Sequence, residues 1–212
     1  MLPLLVKKVE LVKIQFAVSL SKNLLMSKHR CGWCEGDLLY EDYHDREWGV
    51  PVKDDETLFE FLILETFQAG LSWITVLKKR ENFRKAFDNF DYKKIAKYNQ
   101  DKIDELLDNP GIIRNKLKVN ATVSNAQAFI EVQKEFGSFS DYIWKFVDGK
   151  PIKNSLKNYK EGPATTPLSD TISKDLKKRG FKFVGSTVIY AQMQATGMVN
   201  DHEVSCFRYN EV

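Results

Sequence analysis

From Asp54 onward, residues that start helices alternate with residues that end them. Asp and Ser side chains cap helix N-termini, whereas Gly and Pro end helices. Alternating apolar and polar patterns, which indicate strands, are nearly absent, and residues 181–184 are the one short candidate. The sequence therefore predicts an all-α fold, with a loop over residues 150–168. The predicted helices run from Asp54 or Asp55 to Gly70, from Ser72 to about Phe87, over a short piece from Asp91, from Asp101 to before Pro110, from after Gly111 to Phe136, from Ser138 or Ser140 to Val147, from Ser169 to Gly180 and from Ser186 to Gly197.

A chain of 212 residues, 43% of them hydrophobic and 29% charged, can bury one sizeable core or two small domains that share a core. This composition excludes a disordered chain, a collagen-like repeat and a multispan membrane protein. No window reaches the roughly 18 apolar residues of a spanning helix. The net charge of +3 permits nucleic-acid binding without arguing for it. Three cysteines do not make a disulfide framework and fit a reducing compartment, so we expect a cytoplasmic protein.

The first 25 residues differ from the rest, because lysines interrupt an otherwise apolar stretch. A secretory signal needs a continuous apolar region and a small-residue cleavage site, so we reject that interpretation. Two others stay open: an amphipathic helix laid on the domain, or translation from upstream of the natural start. Met26, followed by polar residues, favours the second. We therefore expect an extension over residues 1–25 that need not be native and a helical domain over residues 26–212.

Two of the three histidines stand near cysteines, at opposite ends of the chain. His202 and Cys206 are four positions apart, one helical turn, so both can face the same point. Cys31 and His44 form a second, looser pair. Thiolate and imidazole are the ligands that Zn²⁺ prefers, so the four residues make a tetrahedral zinc site possible. Spacing alone leaves open the alternative of isolated core thiols and hydrogen-bonded histidines.

Cys31 and Cys34 also form a C-x-x-C motif, which suggests a redox pair when it lies in a βαβ unit. No strand is predicted before the motif, so the redox interpretation is weak. We predict that Cys34 neither binds metal nor forms a disulfide, because two Cys and two His already fill a tetrahedral site.

Glu65 lies in a predicted helix that is apolar on nearly every side, as a buried helix is. A buried carboxylate needs a partner or a shifted pKa, which makes this residue a candidate for function. A partly solvated carboxylate at a helix end is the equally weighted alternative. Aromatic residues crowd the same third of the chain and could form a pocket that stacks on a flat ligand, although core packing explains most such clusters. They are Trp33, Trp48, Trp73, Tyr40 and Tyr43.

A turn at Pro110-Gly111 joins two predicted helices. Free N–H groups at such a helix start bind phosphate, and nearby basic residues attract a nucleic-acid backbone. Arg114, Lys116 and Lys118 would supply that charge. A plain helix–helix turn with a solvated basic face is the alternative.

Several long segments, in order, resemble the family of constitutive bacterial 3-methyladenine DNA glycosylases, which belongs to the helix-hairpin-helix superfamily. The resemblance covers about residues 31–206. It implies a helix-hairpin-helix glycosylase fold with one structural zinc ion that ties the N- and C-terminal segments together. The segments that carry it are Cys31-Gly32-Trp33, Tyr43 to Pro51, Gln68 to Arg80, Gly111-Ile112-Ile113-Arg114, Leu176 to Gly185 and Val199-Asn200-Asp201-His202.

The resemblance also implies a role for individual residues. The zinc ligands would be Cys31, His44, His202 and Cys206. Glu65 would be the pocket acid that bonds the flipped base, with Tyr43 as a second contact, Trp73 as the stacking aromatic and Trp48 as a wall. Leu71 would face the gap left in the DNA, and the hairpin with Gly111, Arg114 and Lys116 would hold a backbone phosphate. Many helix-hairpin-helix glycosylases carry a second glycine where Ile113 stands, and we expect Asp201 to support the zinc site or cap a helix rather than to be catalytic.

The implied activity is base-excision repair by a monofunctional enzyme. It would hydrolyse the N-glycosidic bond of 3-methyladenine in alkylated double-stranded DNA, with Glu65 as its catalytic residue, and leave an abasic site. We expect a monomer without a membrane partner.

Overall fold

The computed structural model describes residues 28–212, so the expected extension over residues 1–25 and the start at Met26 lie outside the described residues. Within that range most residues lie in helices and few in strands, as predicted. The α-helices are α1 (Leu38–Arg46), α2 (Asp55–Gln68), α3 (Trp73–Leu77), α4 (Arg80–Ala86), α5 (Tyr92–Ile95), α6 (Gln100–Asp108), α7 (Lys116–Phe136), α8 (Phe139–Trp144), α9 (Pro167–Lys178) and α10 (Ser186–Ala195). Short 3₁₀ turns lie at Asp88–Phe90, Lys145–Val147, Tyr159–Glu161 and Phe207–Asn210.

Most helix starts follow the capping rules. Asp54 caps α2 by accepting a hydrogen bond from the Thr57 N–H at 2.7 Å, and Ser138 caps α8 in the same way. Two predicted starts are wrong by a few residues. Asn99, not Asp101, caps α6. Thr166, not Ser169, caps α9, because Pro167 fits the first helical position and Ser169 completes a reciprocal capping box.

Two further predictions about elements are wrong. The run from Ser72 to Phe87 is interrupted after Leu77, so it forms α3 and α4. Residues 181–184 form a loop rather than a strand, because the Asn125 side chain satisfies both backbone groups of Lys182, at 2.7 and 3.1 Å. The strands lie elsewhere: β1 (Ile152–Lys153) pairs in parallel with β2 (Val199–Asn200). Two residues are too few for an alternating pattern to be visible in sequence.

The core is built around α2, which is buried along almost its whole length. It packs against α7, α8 and α10, and this explains why its sequence is apolar on every side. α1 and α3 lie at the C-terminal end of α2 and place their aromatic residues beside Glu65. None of the helices in residues 28–212 is long and apolar enough to cross a bilayer.

A buried acid pocket beside a cysteine and histidine cluster

Cys31, His44, His202 and Cys206 meet at one buried point, which their spacing made possible and the resemblance implied. The Cys206 Sγ lies 3.4 Å from His44 Nε2 and 3.5 Å from His202 Nδ1, and the Cys31 Sγ lies 3.5 Å from the same His202 atom. All four ligand atoms fall within 4.8 Å of one another, so the cluster could hold a metal ion. His202 and Cys206 face each other across a tight turn, not a helix.

Neighbouring groups fix the orientation of both imidazoles. His44 Nδ1 lies 2.9 Å from the Asp45 carboxylate, which Arg30 holds with two bonds of 2.8 Å. His202 Nε2 lies 3.2 Å from the Trp48 carbonyl oxygen, which can only accept. Each ring therefore donates through one nitrogen and turns the other toward the cluster, an arrangement that is common behind metal-binding histidines. Arg30 and Asp45 were not predicted, and their one signal in the sequence is the position of Asp45 directly after His44.

The two cysteines of the cluster interact directly. A hydrogen bond from the Cys31 thiol lowers the pKa of the Cys206 thiol. The same Cys31–Cys206 bond raises the pKa of Cys31. One thiolate is thus stabilised by the protein itself, and a metal ion would need to displace one further thiol proton.

Asp201 does not contact the cluster. Its carboxylate accepts hydrogen bonds from Tyr190 and Gln194 on α10, each at 2.7 Å, and from Asn154 at 2.6 Å. It ties α10 to the loop after β1, which is neither of the two roles expected for it.

Cys34 is buried but separate from the cluster. Its thiol donates to the Cys31 carbonyl oxygen at 3.1 Å, and burial raises its pKa to about 12. A thiol in this state is a poor metal ligand and a poor nucleophile.

The Cys34→Ser variant should therefore behave like the wild type, because serine can keep the bond to the Cys31 carbonyl. We expect unchanged metal content and a loss of stability of no more than about 1 kcal/mol. Elemental analysis and thermal melts measure both quantities. Loss of metal in this variant would show that the N-terminal ligand is misassigned.

A narrow pocket of about 160 Å³ adjoins the cluster. Within it, Glu65 is only 3% exposed, and its Oε2 atom has no hydrogen-bond partner among residues 28–212. The indole Nε1 of Trp73 is buried without a partner in the same part of the chain. Two unsatisfied polar atoms in one cavity indicate a site built for a polar ligand. The pocket is lined by Trp33, Tyr40, Tyr43, Trp48, Glu65, Gln68, Trp73, Ala191 and Gln194.

The electrostatics of the pocket favour a cation. Burial raises the pKa of Glu65 to about 8, so the carboxyl group is mostly neutral at pH 7 without a ligand. Tyr43 and Tyr40 stay neutral as well, because burial raises the pKa of Tyr43 well above 10 and that of Tyr40 to about 12. A flat cation in the pocket would lower the pKa of Glu65 by Coulomb attraction and would face aromatic rings.

The pocket and the cluster share their walls. Trp33 lies 5.4 Å from the His44 ring, and Trp48 lies 4.6 Å from the His202 ring, as centroid distances. Tyr43 and His44 are neighbours on α1. The aromatic walls and Glu65 were predicted from the sequence, whereas Gln68, Ala191 and Gln194 were not. These three residues line the pocket because α2 and α10 pack against each other there. The sequence around each of them shows no pattern that indicates a pocket.

The hairpin between α6 and α7 is firmly attached to the rest of the domain. The Gly111 N–H donates to Asn109 Oδ1 at 2.8 Å, and Lys79 and Asn82 donate to the Gly111 carbonyl oxygen. The N–H groups of Ile113 and Arg114 have no acceptor within the described part of the chain. Two amides at the turn are thus available to an anion.

The basic residues of the hairpin differ in their exposure to solvent. Arg114 and Lys116 are exposed, as expected for a nucleic-acid contact. Lys118 is only 6% exposed, and its ammonium group donates to the carbonyl oxygens of Phe67 and Ala69. The prediction that Lys118 adds surface charge is wrong. Leu71, beyond the end of α2, is 42% exposed.

Comparison with known proteins places these features in one family. Residues 33–209 match the sequence family described as methyladenine glycosylase. The chain is 49% identical over 180 residues to DNA-3-methyladenine glycosylase 1 of Escherichia coli K12, covering 85% of this chain and 96% of that one. A crystal structure of a 3-methyladenine DNA glycosylase I matches with a TM-score of 0.82 and 51% identity, covering 84% of this chain and 98% of that one. A single-residue variant of such an enzyme, in complex with 3-methyladenine, matches with a TM-score of 0.82 and 35% identity, covering 84% and 96%.

Proposed function

The chain belongs to the methyladenine glycosylase family, and from this premise we propose that it removes 3-methyladenine from alkylated DNA. It is a DNA-3-methyladenine glycosylase of base-excision repair. The observation that carries this function is the buried, unsatisfied carboxyl group of Glu65 inside an aromatic pocket. Adenine alkylated at N3 in DNA is a flat cation, and it matches both the rings and the acid.

The pocket can hold only a base that has left the DNA double helix. Its volume of about 160 Å³ admits a purine but not a base pair, so the damaged nucleotide is flipped out before reaction. The cationic base is already a good leaving group. Ionised Glu65 accepts a hydrogen bond from it, Tyr43 supplies a second contact, Trp73 stacks on it and Trp48 forms a wall.

In the chemical step, the bond between C1′ and the purine nitrogen breaks and its electron pair moves onto the base. Water forms the new bond at C1′ and gives up one proton to the surroundings, which leaves free 3-methyladenine and an abasic site. No lysine lines the pocket in the described residues, which supports a monofunctional mechanism without a Schiff base.

We assign one structural zinc ion to Cys31, His44, His202 and Cys206. Tetrahedral Zn²⁺ with bond lengths near 2.3 Å to sulfur and 2.05 Å to nitrogen separates S and N ligands by about 3.5 Å. The observed S–N distances of 3.4 and 3.5 Å fit this geometry. Four protein ligands leave no open position, so the ion would hold Cys31 and α1 to the segment after β2 and would not act on the base.

The hairpin and the segment after α2 face the DNA in this proposal. Arg114, Lys116 and the amides after Gly111 hold a backbone phosphate, and Leu71 fills the gap left by the flipped base. Helix, hairpin and helix in this order support a helix-hairpin-helix assignment. The substrate is double-stranded DNA, the enzyme works as a monomer, and its compartment is the cytoplasm, in keeping with three unpaired cysteines.

Lys116→Ala should weaken duplex binding about equally for all sequences, because a phosphate contact carries no sequence information. The slope of log K against log salt should become shallower by roughly one unit. Fluorescence anisotropy at several salt concentrations measures this slope. Lys134 on the same helix is exposed and pairs with Glu131 on the surface, so Lys134→Ala is a matched control that should keep the wild-type slope.

The proposed function as a whole is tested by base release. Purified enzyme incubated with methylated duplex DNA should liberate 3-methyladenine, detected by chromatography, and leave alkali-labile abasic sites. Tight binding to methylated DNA without release of base would instead identify a damage-binding protein.

A further inference from the structure

Lys118 is a buried cation that the reaction described above does not use. It is 6% exposed, and it is the third residue of α7, directly after the hairpin. Burial lowers its pKa. A lysine in such a place is costly unless its ammonium group is well bonded, so its position calls for an explanation.

The partners of the ammonium group lie at the C-terminal end of α2. The Nζ atom donates to the Phe67 carbonyl oxygen at 2.8 Å and to the Ala69 carbonyl oxygen at 2.7 Å. The last carbonyl groups of a helix lack intrahelical partners and carry partial negative charge. α2 has no basic residue of its own in its last turn. Lys118 supplies that charge from another helix.

The segment that Lys118 holds is the one that carries Leu71. We call residues 69–72 the lip. Ala69 is the first residue of the lip. Gly70 has a φ of 84°, which places the chain in a left-handed turn before Leu71. The bond to the Ala69 carbonyl therefore fixes where the lip leaves α2, only a few residues after Glu65.

The backbone of Lys118 belongs to the hairpin. Its N–H donates to Asn115 Oδ1 at 3.1 Å, so the residue is part of the cap that starts α7. Lys118 thus connects two parts of the proposed DNA-binding surface. Its backbone belongs to the phosphate-binding turn, and its side chain binds the lip. Lys79 makes a second link to the hairpin at the far end of α3, by donating to the Pro110 and Gly111 carbonyl oxygens.

We propose that Lys118 is a positioning residue for base flipping, which sets the distance between the hairpin on the DNA backbone and Leu71 at the gap. The proposal rests on the proposed function and deepens it. In a purely structural role, Lys118 would affect base release whether or not Leu71 is present. In the role proposed here, Lys118 affects base release only by positioning Leu71.

The test is a double-mutant cycle with Lys118→Met and Leu71→Ala, measured as the single-turnover rate of base release at saturating enzyme and at a temperature below all melting transitions. We expect Lys118→Met to slow release about tenfold while binding of free 3-methyladenine changes less than threefold. The double variant should be no slower than the slower single variant, because both changes remove the same action. Lys118→Arg, which keeps a cation, should recover most of the rate, and Lys134→Met is the matched control on the same helix.

Three outcomes overturn the proposal: an unchanged rate in Lys118→Met, additive effects in the cycle, or a parallel loss of free-base binding. If Lys118→Met does not fold, the cycle is run with Lys118→Gln, which keeps hydrogen-bond donors without the charge. The wild type measured in the same assay separates the two claims, since a wild type that releases no base contradicts the proposed function rather than the role of Lys118.

Discussion

Exchange of Cys206 for serine is expected to abolish binding of the proposed zinc ion and to lower the melting temperature by roughly 10 °C. Cys206 contacts both histidines of the cluster, so its loss leaves three buried ligands without their common partner. The cluster joins the segment before α1 to the segment after β2, beside a backbone hydrogen bond from the Phe207 N–H to the His29 carbonyl oxygen. The α2 core does not depend on the cluster, and we therefore expect a destabilised but folded variant rather than an unfolded chain.

The same variant should lose affinity for free 3-methyladenine. Trp48 accepts from His202 through its carbonyl oxygen and forms the pocket wall with its ring, so the loss of the cluster frees that wall. Elemental analysis, thermal melts and titration with free 3-methyladenine measure the three effects. Cys34→Ser is the matched control, because it makes the same chemical change at a buried cysteine outside the cluster. A Cys206→Ser protein that keeps one zinc per chain would contradict the ligand assignment.

Local signals explain which parts of this fold were predictable. Asp54 and Ser138 indicate helix starts in the sequence, because each caps its helix by bonding a residue only three positions away. Histidine and cysteine are rare in this chain and fall in two pairs, which made the cluster a possibility, and the family resemblance supplied the full set of four. Glu65 stood out because a carboxylate in an apolar helix has few explanations.

Features that depend on distant partners escaped prediction. Lys116 and Lys118 are near neighbours on one helix, yet one is exposed and the other is buried, because only Lys118 meets the carbonyl groups at the end of α2. The β1–β2 pair joins residues that are far apart in the chain. The Asn125 side chain is also distant in sequence from Lys182, whose backbone it bonds where a neighbouring strand would otherwise do so. None of these contacts leaves a mark on the sequence around it.

The raised pKa of Glu65 makes both catalysis and stability depend on pH. Only the ionised form attracts a cationic base, so kcat/KM should rise with pH and level off above about 8. Stability should change in the opposite direction. The folded-state pKa lies above the unfolded value of 4.5, so the contribution of neutral Glu65 is fully present below about pH 4.5 and is lost as pH rises through about 8. Each pKa unit corresponds to about 1.4 kcal/mol.

Glu65→Gln is expected to lower base release by at least about a hundredfold at pH 8, because the amide keeps the shape of the side chain but cannot carry its charge. Duplex affinity should change little, since Glu65 is buried away from the DNA backbone. The rise of kcat/KM toward pH 8 should disappear, and the melting temperature should match the wild type below about pH 4.5 and exceed it at pH 9. Glu56→Gln, which removes a charge from an exposed position of the same helix, should leave all of these values unchanged. Gain of stability at high pH together with loss of activity is the signature of a carboxylate kept for function. Wild-type release kinetics in Glu65→Gln would show instead that the pocket recognises the base by shape alone.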